Sequence, residues 1–115
     1  KKQAQETGKV HPFENSENYQ RDFICVEDVC SVIEKLLTID ESGIWNLGTG
    51  KTESFGEIAN LIANKYNASI EPIPMPDNLK GQYQAYTKSN NTKLLSTLGD
   101  YKFTTVQEWI NKWND

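Results

Sequence analysis

The chain has 115 residues and a formal net charge of −4, with acidic and basic residues interspersed. That length suits one small domain with a modest core, and the charge excludes a nucleic-acid surface built on bulk positive potential. No apolar run approaches the length a bilayer span needs, and no signal peptide is visible. Cys25 and Cys30 sit five apart, which fits neither a C-x-x-C redox pair nor a zinc pattern. Reduced thiols in a cytoplasmic setting are the simplest reading. The N-x-S/T matches at Asn67 and Asn91 then carry no meaning. A polar run opens the chain at Lys1, and the chain reads as a piece of a longer protein.

Lys1 to Gly8 read as the frayed end of a helix, and residues 1–12 as a polar remnant ahead of a domain over 13–115. Val10 to Tyr19 reads as a polar loop. Asp22 to Val26 is predicted as a short strand on Phe23, Ile24 and Val26. A helix is predicted from Glu27 to Thr38. Val29, Val32, Ile33, Leu36 and Leu37 fall at i, i+3, i+4, i+7 and i+8, so one apolar stripe faces a core. Glu27 and Asp28 put negative charge at its N-terminus, where the macrodipole favours it. Gly43 to Leu47 is predicted as a second strand, ended by Gly48-Thr49-Gly50. Ser54-Phe55-Gly56-Glu57 is a capping box that opens a helix to about Tyr66, with Ile58, Leu61, Ile62 and the Lys65 stem inward. Ile70 to Ile73 is predicted as a third strand, kept to an edge by Pro72, Pro74 and Pro76. Asn90 or Asn91 caps a short helix bearing Leu94, Leu95 and Leu98, stopped by Gly99. Thr105-Val106-Gln107-Glu108 is a second capping box, and the last helix buries Val106, Trp109, Ile110 and Trp113. The fold class is α/β: a few short strands packed with about four helices, too slight for a full doubly wound sheet.

Several residues invite a chemical reading. Gly50-Lys51-Thr52 suggests a phosphate loop, but the glycine needed five residues earlier is Trp45. The third glycine of a dinucleotide fingerprint would fall at Glu53. A tight turn is the plainer reading. Arg21 either pairs on the surface with Asp22 or Glu27, or offers a planar fork to a diphosphate. Phe13-Glu14-Asn15-Ser16 reads as a turn in which Asn15 tolerates left-handed dihedrals. Ile73 to Thr87 combines prolines, Lys80, Gly81 and two tyrosines, Tyr83 and Tyr86, with little periodicity, as a binding loop does. Tyr83 is then a ligand contact or a packing residue, and Lys80 a possible charge near phosphates. Tyr86 reads as core. His11 has no acidic or cysteine cluster around it. Cys25 reads as a small buried apolar residue, with Cys30 near it on the helix and no histidine beside either to act as a base. Trp45, Trp109 and Trp113 read as core or interface aromatics.

Three segments together carry a resemblance. They are Ser16-Glu17-Asn18-Tyr19-Gln20-Arg21-Asp22-Phe23, Ser42-Gly43-Ile44-Trp45-Asn46-Leu47-Gly48-Thr49-Gly50, and Pro76-Asp77-Asn78-Leu79-Lys80-Gly81-Gln82-Tyr83-Gln84. From about Phe13 to its end the chain closely resembles the C-terminal part of the ADP-L-glycero-D-manno-heptose 6-epimerases, within the extended short-chain dehydrogenase/reductase class. The first two segments are shared by many nucleotide-sugar epimerases and dehydratases, whereas the third is narrower. The resemblance implies a substrate-binding part for ADP-heptose, with Phe13, Glu14, Asn15, Ser16, Arg21 and Tyr83 as contacts and Lys80 as a further candidate. Asn15 stands where the family usually has glycine. It also implies NADP held by an N-terminal Rossmann domain that lies outside this chain, and a homo-oligomer when whole. No membrane, nucleic-acid or metal partner is implied. The reaction implied is inversion at C6″ by transient oxidation and re-reduction, for lipopolysaccharide inner-core synthesis. The family's catalytic Y-x-x-x-K pair is absent: Tyr19, Tyr66, Tyr83, Tyr86 and Tyr101 are followed four residues on by Phe23, Ile70, Thr87, Asn90 and Thr105. Another enzyme of the class, or a non-catalytic nucleotide-sugar binding module, stays open.

Overall fold

The computed structural model describes residues 1–114. Helix α1 (Lys2–Thr7) ends at Gly8, whose φ of 68° and ψ of 17° let its N–H bond Ala4 O. Ala4 is buried, and β1 (Lys9–Val10) follows directly. β1 pairs in parallel with β4 (Ser69–Ile70), in the register Lys9↔Ser69 and Val10↔Ile70. The pairing continues through Glu71 N–H to Val10 O, Ile73 N–H to Pro12 O and Glu14 N–H to Ile73 O. Pro72 and Pro74 fall at the alternate positions, where no ladder donor is required. The predicted edge strand is therefore present, shorter as a ladder than Ile70–Ile73 and continued by a bridge at Ile73.

The first predicted strand moves toward the N-terminus. β2 is Gln20–Arg21, paired antiparallel with β3 (Glu53–Ser54) as Gln20↔Ser54 and Arg21↔Glu53. Residues 85–87 run along the other edge of β2, with Gln20 N–H to Ala85 O, Thr87 N–H to Gln20 O and Asp22 N–H to Thr87 O. The ladder stops at Asp22, whose carboxylate binds other backbone, and Cys25 already serves as the N-cap of α2 (Val26–Leu36). The strand predicted over Gly43–Leu47 does not form. Its groups bond the segment around α4 (Thr92–Leu98) through side chains instead of a ladder: Lys93 Nζ donates to Ile44 O, Asn46 Nδ2 to the backbone Asn90 O and Trp45 Nε1 to Thr97 Oγ1. An extended segment without a neighbouring edge has no ladder to join.

Both predicted capping boxes are present. Ser54 and Glu57 exchange hydrogen bonds at the start of α3 (Phe55–Tyr66), as do Thr105 and Glu108 at the start of α5 (Val106–Asn111). At α4 the capping side chain is Asn90, whose Oδ1 accepts from Thr92 N–H and Oγ1. Gly99 ends α4 with a positive φ of 77° but an extended ψ of −160°, not a left-handed helical cap. The fully buried apolar residues are small or few: Ala59 and Ala63 on α3, Val32 on α2, Leu94 on α4 and Ile110 on α5, besides Ala4. On α2 the predicted stripe is only half covered. Val29 and Leu36 are half-buried, while Ile33 and Leu37 are exposed. Tyr86, expected in the core, is also exposed.

The result is a small α/β slab, 50 × 36 × 18 Å, of five α-helices and two two-stranded sheets among the described residues. No described helix is long and apolar enough to cross a membrane.

Candidate functional site

The neighbourhood of Arg21 is built by pairing. β3 flanks β2 on one side and residues 85–87 on the other, so Phe55 and Tyr83 arrive beside Arg21 from opposite edges. The guanidinium carbon lies 5.2 Å from the Tyr83 ring centre and 5.6 Å from that of Phe55. A cation over two ring faces is attracted by their quadrupoles and held in place by packing. Its Nη1 donates to Gln20 O at 2.8 Å, which fixes the fork further. Among the described residues Arg21 makes no ion pair; the two salt bridges are Lys9–Glu71 and Lys80–Asp77. Neither surface pair considered for it, with Asp22 or Glu27, forms.

Tyr83 is the centre of an aromatic cluster. Its ring meets Tyr19 at 5.1 Å and Phe13 at 6.2 Å, both edge to face, and Phe55 at 6.2 Å. The loop that delivers it is a chain of turns. Leu79 and Lys80 N–H bond Pro76 O, Gln82 N–H and Tyr83 N–H bond Leu79 O, and Gly81 takes a φ of 83°. Phe13, Ser16, Tyr19, Phe55 and Tyr83 wall an apolar groove of about 300 Å³. Arg21 does not line it; the Phe55 and Tyr83 rings connect the two.

Asn15 adopts φ 60°, ψ 26°, the left-handed conformation that an asparagine tolerates, and precedes a 3-10 turn over Ser16–Asn18. Ser16 is buried, whereas Glu14 is exposed. Gly56, overlooked in the sequence, makes this possible: a Cβ there would stand 3.0 Å from Glu17 N. Phe13, Asn15 and Ser16 also line a larger polar groove of about 470 Å³ with Glu53 and Glu57. Burial, and then the neighbouring Glu57, push the Glu53 carboxyl above its ordinary pKa; Glu57 is held below its own, chiefly by the Ser54 N–H. Lys80 lies apart from this group, exposed and paired with Asp77 at 3.1 Å.

Asp22, considered in the sequence as a surface partner of Arg21, instead gathers four donors of the chain. Its Oδ1 accepts from Thr49 N–H at 2.9 Å and Thr49 Oγ1 at 2.6 Å, and its Oδ2 from Gly50 N–H at 2.9 Å and Ser89 N–H at 3.1 Å. Burial would raise its pKa, but the four hydrogen bonds together outweigh that and hold it below the ordinary aspartate value. This also decides the glycine turn. Gly50 needs its φ of 75°, whereas Gly48 is required by space, since a Cβ there would collide with Ser89. The amides of Thr49 and Gly50 point at a carboxylate, so a phosphate finds neither donors nor a favourable field there. The 48–50 turn therefore does not fit a dinucleotide's phosphates.

The remaining candidates form no further cluster among the described residues. His11 Nδ1 lies 2.9 Å from Glu71 O. Cys25 is half-buried and Cys30 exposed, both free thiols. Among the described residues no group of three or more His, Cys, Asp or Glu could hold a metal. Trp109 and Trp113 are half-buried around α5. Asp28 was read as a helix-end charge, yet it is buried and accepts from Tyr101 OH at 2.9 Å and Thr104 N–H at 2.7 Å.

No family model matches the chain. Solved structures do resemble it. ADP-L-glycero-D-manno-heptose-6-epimerase of Helicobacter pylori matches with a TM-score of 0.79 at 22% identity over 95% of this chain and 33% of its own. UDP-glucose 4-epimerase of Thermotoga maritima, with UDP-glucose, matches at 0.75, 24% identity, 94% and 34%. An NAD-dependent NDP-hexosamine 5,6-dehydratase involved in tunicamycin biosynthesis matches at 0.77, 15% identity, 95% and 35%. The fold is one found in nucleotide-sugar epimerases and dehydratases. The chain spans about a third of the length of these proteins.

Proposed function

We propose that this chain is the substrate-binding portion of an NADP-dependent epimerase that converts ADP-D-glycero-D-manno-heptose to its L-glycero epimer at C6″. The redox step belongs, on this reading, to an N-terminal Rossmann domain carrying NADP and the Tyr/Lys pair, so residues 1–115 alone turn over no substrate. The chain's part is to bind and orient. Arg21 takes the diphosphate, Tyr83 and Phe13 form an aromatic wall, and the turn at Asn15–Ser16 closes the site.

The observation that carries the reading is Arg21 itself: a guanidinium seated on Tyr83 and Phe55 with no carboxylate partner among the described residues. A positioned, unneutralised fork is what a diphosphate requires. The choice of ADP-heptose over other nucleotide sugars rests on the Pro76–Gln84 segment, since the TM-scores of the heptose and UDP-glucose epimerases differ by little. Exposed Val26, Ile33 and Leu37 on α2 offer a surface on which the Rossmann domain would dock. In the complete protein, Arg21→Ala should raise KM for ADP-heptose about tenfold or more, with a smaller effect on kcat. An unchanged KM would contradict the diphosphate role.

A further inference from the structure

Only a short ladder sets the register between β2 and residues 85–89. Three backbone bonds, at Gln20, Thr87 and Asp22, hold the two segments side by side. A ladder that short is weakly specified by itself, and a slip along it moves every side chain it carries. Tyr83 stands two residues ahead of Ala85, the first bonded position, so it moves with that segment. At the other end the segment is fastened by one group: Ser89 N–H donates to Asp22 Oδ2. The same carboxylate fastens the 48–50 turn through three more bonds. That turn braces the segment in return, because Gly48 packs directly on Ser89 and Gly48 O accepts from Asn91 Nδ2 at 3.1 Å.

We infer that Asp22 is a positioning residue for the anion site: its carboxylate locks residues 85–89 in the register that sets the Tyr83 ring over the Arg21 guanidinium. Asp22 accepts all four of its hydrogen bonds from donors of the chain itself. It acts on one residue through the chain connection, since Arg21 precedes it, and on the other through Ser89. Only an ionised carboxylate serves all four donors, because it accepts through both oxygens. An amide of the same shape accepts through one and turns an N–H₂ toward donors at the other. Either the turn or Ser89 must then let go.

The inference rests on the reading that Arg21 takes a nucleotide diphosphate, and its test keeps the two separable. Calorimetric titration of the complete protein with ADP reports a dissociation constant and a stoichiometry. A merely structural role for Asp22 lowers the stoichiometry, as molecules are lost from the folded pool, and leaves the affinity of the rest unchanged. The expected result for Asp22→Asn is unchanged stoichiometry with affinity weakened about tenfold, the scale of losing one charge-assisted bond at the site. Thr49→Val removes one of the four donors to Asp22, together with the acceptor of Lys51 N–H, and should weaken ADP binding a few-fold, while Thr49→Ser restores it. Should Asp22→Asn fail to fold, the Thr49 pair decides by the same criterion. Unaltered affinity in the folded variants, with Arg21→Ala still weakening ADP, overturns the positioning role alone. Unaltered affinity in Arg21→Ala overturns the functional reading and the inference with it.

Discussion

Asp22 gives the clearest residue-level expectation about pH. Its folded pKa lies below the ordinary value, so its contribution to stability is fully present above the unfolded pKa and is lost as pH falls through the folded one. Urea titrations should therefore find wild type more stable than Asp22→Asn at neutral pH and at pH about 5, with the gap closing only below pH about 4. A gap that closes already near neutrality would mean the carboxylate is not the group that matters. Asp28 is a separate case, buried and shared between Tyr101 and Thr104. Asp28→Ala strands a phenol and an amide, and denaturant midpoints should show a loss of about 2–4 kcal/mol. A loss below about half a kcal/mol would show that water replaces the carboxylate there. In both aspartates the sequence shows an acid next to a motif. It does not show the donors, which come from segments 27 to 76 residues away.

At the scale of elements, what was legible is local chemistry. Both capping boxes stand as written, because each is closed within four residues. Ser54→Ala should cost about 1 kcal/mol of stability, measured by thermal unfolding with Thr105→Ala as a second instance. Asn15 was legible for the same reason: its side chain tolerates the conformation that the turn imposes. Strands were legible only where a partner edge exists. Asp22–Val26 and Gly43–Leu47 have strand composition, but the first is bent away by Asp22 and the second meets side chains from α4. β3, two polar residues of which the second is the cap of α3, carries no period at all. The aromatic wall was half legible. Tyr83 stood out within its loop, whereas Phe55 looked like a helix residue and Tyr19 like a loop residue until pairing brought Phe55 to Arg21 and Tyr19 to Tyr83.

The whole molecule is thin. Its radius of gyration is 16.9 Å, against about 13 Å for a compact chain of this length. Its accessible surface is 7849 Å², against about 6,400 Å² for a folded monomer of its mass. The excess is about the area one partner commits to a large interface. Ile33, Leu37 and Val26 lie on one side of α2, Leu37 at 80% exposure. Residues 1–115 alone should accordingly associate with rising concentration in sedimentation velocity, and Ile33→Glu with Leu37→Glu should reduce this. Monomers at every concentration would remove the case for a docking face. The most direct test of the account as a whole is chemical. The complete protein, supplied with NADP and ADP-D-glycero-D-manno-heptose, should yield the L-glycero epimer, followed by NMR at C6″. Turnover of UDP-glucose with the heptose substrate left unchanged would contradict it.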